Sequence, residues 1–300
     1  MYKNTFFGGE YSYLIPLLLC EKNIGKVHSI FANGFNIKMG DSLIFIGTKK
    51  NGLLPFGIHL TSEDTSRAIS HLTINENVFW NEEILKLEFT EMSISLKNGT
   101  IFKNELYPVN INNLFKDQFA NLKTLLSTHD QSTGLEINIG EFFMKYADIS
   151  YINWSKEEQF ILWLIDAILT NDPSLLEKTL RFILGRGKGL TPSGDDIMVG
   201  ILAFDSITHF LPDKFFKKLS DLVEKEPITT DVSKEYLRYA LKQEFSSTVT
   251  DLINLIGSNK PWLSDGAYKR LLEVGHSSGL DTMFGILVGM LAFHKVIEHF

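Results

Sequence analysis

Residues 185–192 bring together residue types that could bind a small anion. Three glycines occupy alternate positions and two cations lie between them: Gly185, Arg186, Gly187, Lys188 and Gly189. Glycine allows positive φ angles and a close approach of the backbone to a ligand. A helix that begins at Ser193 would add N–H groups with a partial positive charge. The loop and this helix start are therefore predicted to form an anion site.

Two adjacent carboxylates, Asp195 and Asp196, follow the loop and could accept hydrogen bonds from an amine or an amide. The run that begins at Ser193 is repeated 85 residues later, beginning at Ser278. The serine, the glycine after it, the second aspartate, a methionine, a later glycine and an Ile-Leu pair coincide. Asp281 thus corresponds to Asp196. We predict two equivalent loop-to-helix elements that face each other across a shared site.

A purely structural interpretation is also open. Ser-x-x-Asp before an apolar run is typical of a capping box, which would account for Ser193 with Asp196 and for Ser278 with Asp281. It leaves the glycine loop, its two cations, Asp195 and the His-Ser pair at 276–277 unexplained. These features favour a ligand site in addition to any capping role.

The composition limits the function classes. A net charge of −7 over 300 residues argues against nucleic acid as the main partner. One cysteine, Cys20, excludes an intramolecular disulfide framework, fits a reducing compartment and is predicted to be buried. The apolar stretch 283–293 is too short to span a bilayer and is predicted to be a buried helix. A cytoplasmic protein without a membrane segment is expected.

The order of elements predicts an α+β protein. Residues 1–127 form a mainly β domain, a sheet or small barrel, with a hairpin at Asn98-Gly99. Residues 128–150 are a transition, and residues 151–300 form an all-α domain that carries both Ser-Gly-x-Asp motifs. Ser155 to Glu158 is a capping box that opens the first of its helices. Further helices are predicted at 194–209, 213–224, 231–243, 247–256, 263–274 and 280–298.

The two motifs resemble a mostly uncharacterised bacterial family that includes the AllH-type subunit of oxamate carbamoyltransferase, from anaerobic allantoin breakdown. The resemblance rests on Gly-x-Gly-x-Gly-Leu-Thr-Pro-Ser-Gly-Asp-Asp at 185–196 and on Gly-His-Ser-Ser-Gly-Leu-Asp at 275–281. It extends to residues 27–32 and to the helix start at 229–233. It implies exchange of a carbamoyl group between carbamoyl phosphate and a small amide acid such as oxamate or oxalurate, in a complex with other subunits.

Under this resemblance, Arg186, Lys188 and the helix-start amides at 194–196 and 279–281 would hold the anion and stabilise a developing oxyanion. His276 would act as acid or base, and Asp196 and Asp281 would orient the amine of the acceptor. The other predicted binding residues are Gly185, Gly187, Gly189, Thr191, Ser193, Gly194, Asp195, Thr230, Ser277, Ser278 and Gly279. No cofactor is expected. The expected partners are a small anionic substrate and other subunits or further copies of the chain.

Two other function classes stay open. Asp195, Asp196 and Asp281 with nearby hydroxyls would suit Mg²⁺, which prefers oxygen ligands and often bridges to a phosphate. The reaction would then be phosphoryl transfer or hydrolysis. In the second alternative the chain is a non-catalytic, ligand-binding subunit of a larger complex.

Overall fold

The computed structural model describes residues 4–107, 114–129, 131–148, 150, 152–258 and 266–299. The chain divides into two compact units, Met1–Glu105 and Leu106–Phe300. The first unit is mainly β, and the second is helical throughout its regular elements. This confirms the predicted α+β class.

The first unit is a half-barrel sheet with two helices. Its strands are β1 (Asn4–Phe7), β2 (Glu10–Ser12), β3 (Ile24–Phe31), β4 (Gly34–Met39), β5 (Ser42–Gly47), β6 (Gly57–His59), β7 (Asn77–Asn81), β8 (Lys86–Glu88), β9 (Met92–Ser95) and β10 (Thr100–Phe102), and its helices are α1 (Ile15–Glu21) and α2 (Ser62–Ile69). The strand order is β1-β9-β8-β7-β3-β4-β5-β6-β2-β10. The apolar residues of the central strands, such as Ile37 opposite Ile44, form one buried core.

Two expectations for this unit are wrong. The hairpin predicted at Asn98-Gly99 does not form, because β9 pairs with β8 and β1 whereas β10 pairs with β2. Cys20 is exposed. Helix α1 buries Ile15 and Leu19, which lie one turn apart on the same face, so the residue after Leu19 points away from the core.

The second unit contains the remaining helices of the described chain. They are α3 (Leu114–Ser127), α4 (Ile139–Ala147), α5 (Lys156–Thr170), α6 (Pro173–Ile183), α7 (Ser193–Thr208), α8 (Asp213–Lys225), α9 (Asp231–Ala240), α10 (Ser247–Ile256), α11 (Ala267–Leu272) and α12 (Ser278–His299). The predicted capping box of Ser155 and Glu158 is present at the start of α5. Residues 263–265 of the predicted helix 263–274 lie outside the described residues.

The boundary between the units lies earlier in the chain than the predicted limit at 127. Helix α3 buries Leu122 and Leu126 in the helical core, and α4 buries Phe142 in the same core. The transition predicted at 128–150 is therefore part of the helical unit. The sequence pattern missed this because a helix shows which face is apolar without showing which core receives it.

Helices α7 and α12 form the centre of this unit. Every residue of α7 is buried, and residues 280–293 of α12 are buried as well. Helix α12 agrees with the helix predicted at 280–298 and extends beyond the apolar stretch 283–293 at both ends. Over Ser278–Ile297 it is long and apolar enough to cross a membrane, but 78% of its most apolar 18-residue stretch is buried inside the protein. It is the one such helix among the described residues.

Candidate functional site

The starts of α7 and α12 lie side by side because the two helices touch backbone to backbone. A side chain at Gly200 would overlap the carbonyl oxygen of Thr282, and a side chain at Gly285 would overlap the carbonyl oxygen of Ile197. Gly200 and Gly285 are 85 residues apart, and so are Ile197 and Thr282. Each contact is therefore repeated by its equivalent, which confirms the predicted pair of equivalent elements.

Each helix start holds the aspartate of the other through a serine. The Ser278 and Thr191 hydroxyls donate to the Asp196 carboxyl group, and the Ser277 and Ser193 hydroxyls donate to the Asp281 carboxyl group. Thr191 joins this arrangement, with its Oγ1 at 3.1 Å from Oγ of Ser278. Since these bonds and the glycine contacts occur in the same order along both helices, the helices run in the same direction and their N-termini meet at one place.

The capping box considered for Ser193 and Asp196 is wrong. Pro192 is the N-cap residue of α7, and no side chain makes a cap hydrogen bond there. Ser193 is already the first helical residue, so its hydroxyl is free to cross to Asp281. The motif therefore braces two helices against each other instead of closing its own first turn.

Gly134, from the turn before α4, lies against Asp281 and the neighbouring serines. Its backbone N–H donates to Oδ1 of Asp281 at 2.8 Å. A side chain at this position would overlap the Ser193 hydroxyl and would press on the Ser277 hydroxyl. Sequence reasoning missed Gly134, and no local signal could have found it, because its partner is 147 residues away.

Asp196 and Asp281 are buried carboxyl groups with spare hydrogen-bonding capacity. Asp196 is 7% exposed and Asp281 is fully buried. Burial raises the pKa of Asp196 well above its ordinary value, and the charges of Asp281 and Asp195 raise it further. Burial also raises the pKa of Asp281. One oxygen of each carboxyl group, Oδ2, has no hydrogen-bond partner. Such buried unpaired acceptors are rare in folded proteins and indicate a water or ligand site.

Asp195 has a different environment from its neighbour. Its Oδ1 accepts from the Gly185 N–H at 2.9 Å, and its Oδ2 accepts from Ser233 at 2.7 Å and from Thr229. These bonds fasten the start of the glycine loop and the start of α9 to α7. Burial raises the pKa of Asp195, and these three bonds oppose the shift. Both oxygens are thus occupied, so a direct role in ligand binding stays a prediction.

Most of the helix-start amides that were predicted to bind an anion already have backbone acceptors. The N–H of Gly194 donates to Arg186 at 2.8 Å, and those of Asp195 and Asp196 donate to the Pro192 carbonyl. In the second motif, the Gly279 and Asp281 amides donate to carbonyls at 274 and 277. Two of these five amides bond the preceding chain and three bond a carbonyl at the helix start itself, so their predicted role in anion binding stays a prediction.

The glycine loop itself retains unpaired donors. Gly187 and Gly189 have positive φ angles of 120° and 93°, and residues 187–190 are exposed. Within the described chain, the N–H groups of residues 187–189 have no acceptor, and the ammonium of Lys188 has no ion-pair partner. Thr230 donates to the Leu190 carbonyl and, as the N-cap of α9, accepts from the Ser233 N–H at 3.0 Å. Thr230 therefore anchors the loop, and the amides of residues 187–189 are unpaired donors on exposed residues.

Neither Arg186 nor His276 makes a hydrogen bond or ion pair with Asp196 or Asp281 in the described chain. The Arg186 guanidinium stacks on Phe182 at 3.7 Å from the ring centroid and lies 3.7 Å from a Glu157 carboxylate oxygen. His276 is exposed in the turn before α12 and makes no hydrogen bond within the described chain. The acid–base role of His276 stays a prediction, and Arg186 is less available than Lys188.

The alternative metal site lacks support from the side-chain arrangement. Among the described residues, no group of three or more His, Cys, Asp or Glu side chains is placed to hold a metal ion. Asp195, the third member of the predicted set, turns its oxygens toward Gly185, Thr229 and Ser233 instead.

Comparison with known proteins identifies the family. A family model described as oxamate carbamoyltransferase subunit AllH matches residues 183–290, which include both helix starts. A second model, described as the AllH family N-terminal domain, matches residues 10–101, within the β unit. No solved structure matches the chain. Together the two family models cover most of the chain, one in each unit, and the chain therefore belongs to the AllH family.

Proposed function

We propose that this protein is the substrate-binding subunit of a carbamoyltransferase that acts on carbamoyl phosphate and a small amide acid, such as oxamate or oxalurate. Its family is described as a subunit of oxamate carbamoyltransferase, which implies other protein subunits. The reaction needs no cofactor, because carbamoyl phosphate already carries an activated carbamoyl group.

One observation carries the proposal: unpaired donors and unpaired acceptors lie next to each other at the two helix starts. The loop residues 187–189, with the Lys188 ammonium, are exposed and their amides are unpaired, and Gly187 lies against Ser193. Ser193 is bonded to Asp281, whose Oδ2 is unpaired. The substrates have the complementary character, since each is an anion that also carries an amide or carbamoyl group.

The loop is the part of the site that suits the anionic end. Backbone N–H groups in a glycine loop can surround a phosphate or carboxylate, and a nearby cation adds to the attraction. Lys188 is exposed, so its contribution is moderated by water and salt. We expect Lys188→Ala to weaken binding of oxamate and carbamoyl phosphate by about tenfold, which corresponds to ~1.4 kcal/mol.

Calorimetry on the purified full-length chain tests the proposal. Oxamate, oxalurate and carbamoyl phosphate are titrated into the native protein, into Lys188→Ala, and into Lys214→Ala as a control. Lys214 is an exposed lysine of α8 without an ion-pair partner in the described chain, so the control makes the same charge change away from the site. Selective weakening in Lys188→Ala supports the proposal. Equal affinity in both variants removes the anion role from this loop.

A thermal-shift comparison with EDTA and with Mg²⁺ addresses the metal-dependent alternative. Ligand binding to the folded state raises the melting temperature by mass action. A shift with oxamate or carbamoyl phosphate that EDTA leaves intact agrees with the proposal. A shift that requires both Mg²⁺ and a phosphorylated ligand would favour a phosphoryl-transfer enzyme.

A further inference from the structure

The proposed function leaves the inner part of the site unexplained. Asp196 and Asp281 occupy equivalent positions at two parallel helix starts, and each is held by the serine of the other helix. Each keeps one buried oxygen, Oδ2, without a partner. The serine hydroxyls and the Gly134 N–H account for the bracing of the two helices. The unpaired oxygens therefore call for a separate explanation.

We propose that Asp196 and Asp281 form a carboxyl pair that holds one proton and recognises the –CO–NH2 group of the substrate. The protonated member donates its O–H to the carbonyl oxygen of the amide, and the ionised member accepts an N–H from its nitrogen. This inference rests on the proposed function, since it assigns the amide end of the same ligand to the same site.

The surroundings favour a single negative charge on the pair. Two carboxylates that are close together and shielded from water cannot both ionise without a large repulsion, so one of them keeps its proton. The meeting of two helix N-termini favours one negative charge at this place. The other titratable groups that act here are Asp195 on α7 and Tyr236 on α9, and neither is a cation. The arginine and the lysine nearest to Asp196 in the sequence, Arg186 and Lys188, lie in the glycine loop.

A primary amide matches a carboxyl pair with one proton. The amide presents an acceptor, its carbonyl oxygen, next to a donor, its N–H. The pair presents one O–H donor and one carboxylate acceptor, which is the inverse pattern. A carboxylate ligand presents two acceptors and would leave the ionised member facing a negative charge. The pair therefore orients the substrate, with the amide inward and the carboxylate outward toward the loop amides.

The orientation has a consequence for the chemistry. With the amide inward, the ionised carboxylate lies at the N–H that the acceptor nitrogen must lose when its bond to the carbamoyl carbon forms. The proton passes to that carboxylate, and phosphate leaves with the electrons of the broken C–O bond. A base with a raised pKa is better suited to this task than an ordinary aspartate.

Three small ligands separate this inference from the proposed function. Oxamate has a carboxylate and a primary amide, oxalate has two carboxylates and no N–H, and N,N-dimethyloxamate keeps the carbonyl but has no N–H. The native full-length chain should bind oxamate roughly 100-fold more tightly than either analogue, because a buried polar pair rejects ligands that leave it unpaired. Equal affinity for all three would overturn the inference and leave anion binding by the loop intact. If none of the three ligands binds, both this inference and the proposed function are overturned.

The variants Asp196→Asn and Asp281→Asn test the pair itself. Each should remove the preference for oxamate while leaving oxalate affinity unchanged or higher, and Asp221→Asn on the surface of α8 serves as the control. The dependence of oxamate affinity on pH should be bell-shaped in the native chain and one-sided in either Asn variant. If a variant does not fold, the ligand comparison and the pH profile of the native chain still decide. A native pH profile without a maximum would contradict the shared proton.

Discussion

Replacing Gly285 by alanine should separate the two helices that build the site. A methyl group at this position would overlap three backbone atoms of Ile197, which cannot rotate away as a side chain would. Overpacking of a core costs about 1–3 kcal/mol. Alanine regains up to ~1 kcal/mol over glycine in a helix interior. Because backbone atoms cannot move aside, the upper part of this range applies, about 2–3 kcal/mol, and after the gain of ~1 kcal/mol Gly285→Ala should lower the free energy of unfolding by about 1–2 kcal/mol.

Gly289→Ala is the matched control in the same helix. Its methyl group would meet the Phe204 side chain at 3.3 Å, and a side chain can shift by the few tenths of an ångström required. The variant should be as stable as the native chain or more stable by up to ~1 kcal/mol. Both variants remove one glycine from α12, so the difference between them isolates the backbone contact.

Thermal unfolding followed by circular dichroism measures this difference. For a unit of this size, 1 kcal/mol corresponds to roughly 2–4 °C in Tm, so Gly285→Ala should melt about 2–8 °C below the native chain. It should also bind oxamate more weakly, because separated helices cannot keep the serine–aspartate bonds. If Gly285→Ala and Gly289→Ala have the same melting temperature, the close backbone contact between α7 and α12 is refuted. The site that depends on this contact is then refuted as well.

Three further predictions concern the buried polar groups. Burial raises the pKa of Asp196 in the folded protein, so the stability that this group contributes is complete at low pH and is lost as the pH rises through that pKa. Asp196→Asn should therefore gain stability relative to the native chain as the pH rises from ~4; a pH-independent difference in urea unfolding would contradict the shift. Ser233→Ala should cost about 1–3 kcal/mol in urea unfolding because Asp195 loses a buried donor, whereas a loss within error would mean that water replaces the hydroxyl. Gly134→Ala should weaken oxamate binding, measured by calorimetry, because its methyl group would displace the Ser193 hydroxyl. Unchanged affinity would show that Gly134 is not part of the site.

Local patterns in the sequence placed the helices from α5 onward. Capping signals such as Ser155 with Glu158, and proline at the first helical position at 173, place helix starts because they depend on residues within one turn. The same reasoning failed at Ser193. There the residue that satisfies the hydroxyl lies on another helix, and a capping box looks identical in sequence whether or not its serine turns inward.

The β unit shows the same limit. The mainly β character of this unit followed from the sequence, but the pairing of β10 with β2 instead of β9 did not. A turn dipeptide such as Asn98-Gly99 reverses the chain without deciding which neighbour the next strand joins. Cys20 gave a similar error, because its apolar neighbours hid the fact that α1 buries only the face of Ile15 and Leu19.

The sequence by itself determined the residue types at the site, the repetition after 85 residues and the glycine loop, because these depend only on covalent order. Only the tertiary structure decided how they are used. In the folded chain, Ser193 and Ser278 each bond the aspartate of the opposite helix, and Gly134 bonds Asp281. Both oxygens of Asp195 accept hydrogen bonds, whereas one oxygen of Asp196 and one of Asp281 have no partner. Whether a buried polar atom is satisfied depends on every element packed around it, and no sequence window contains all of them.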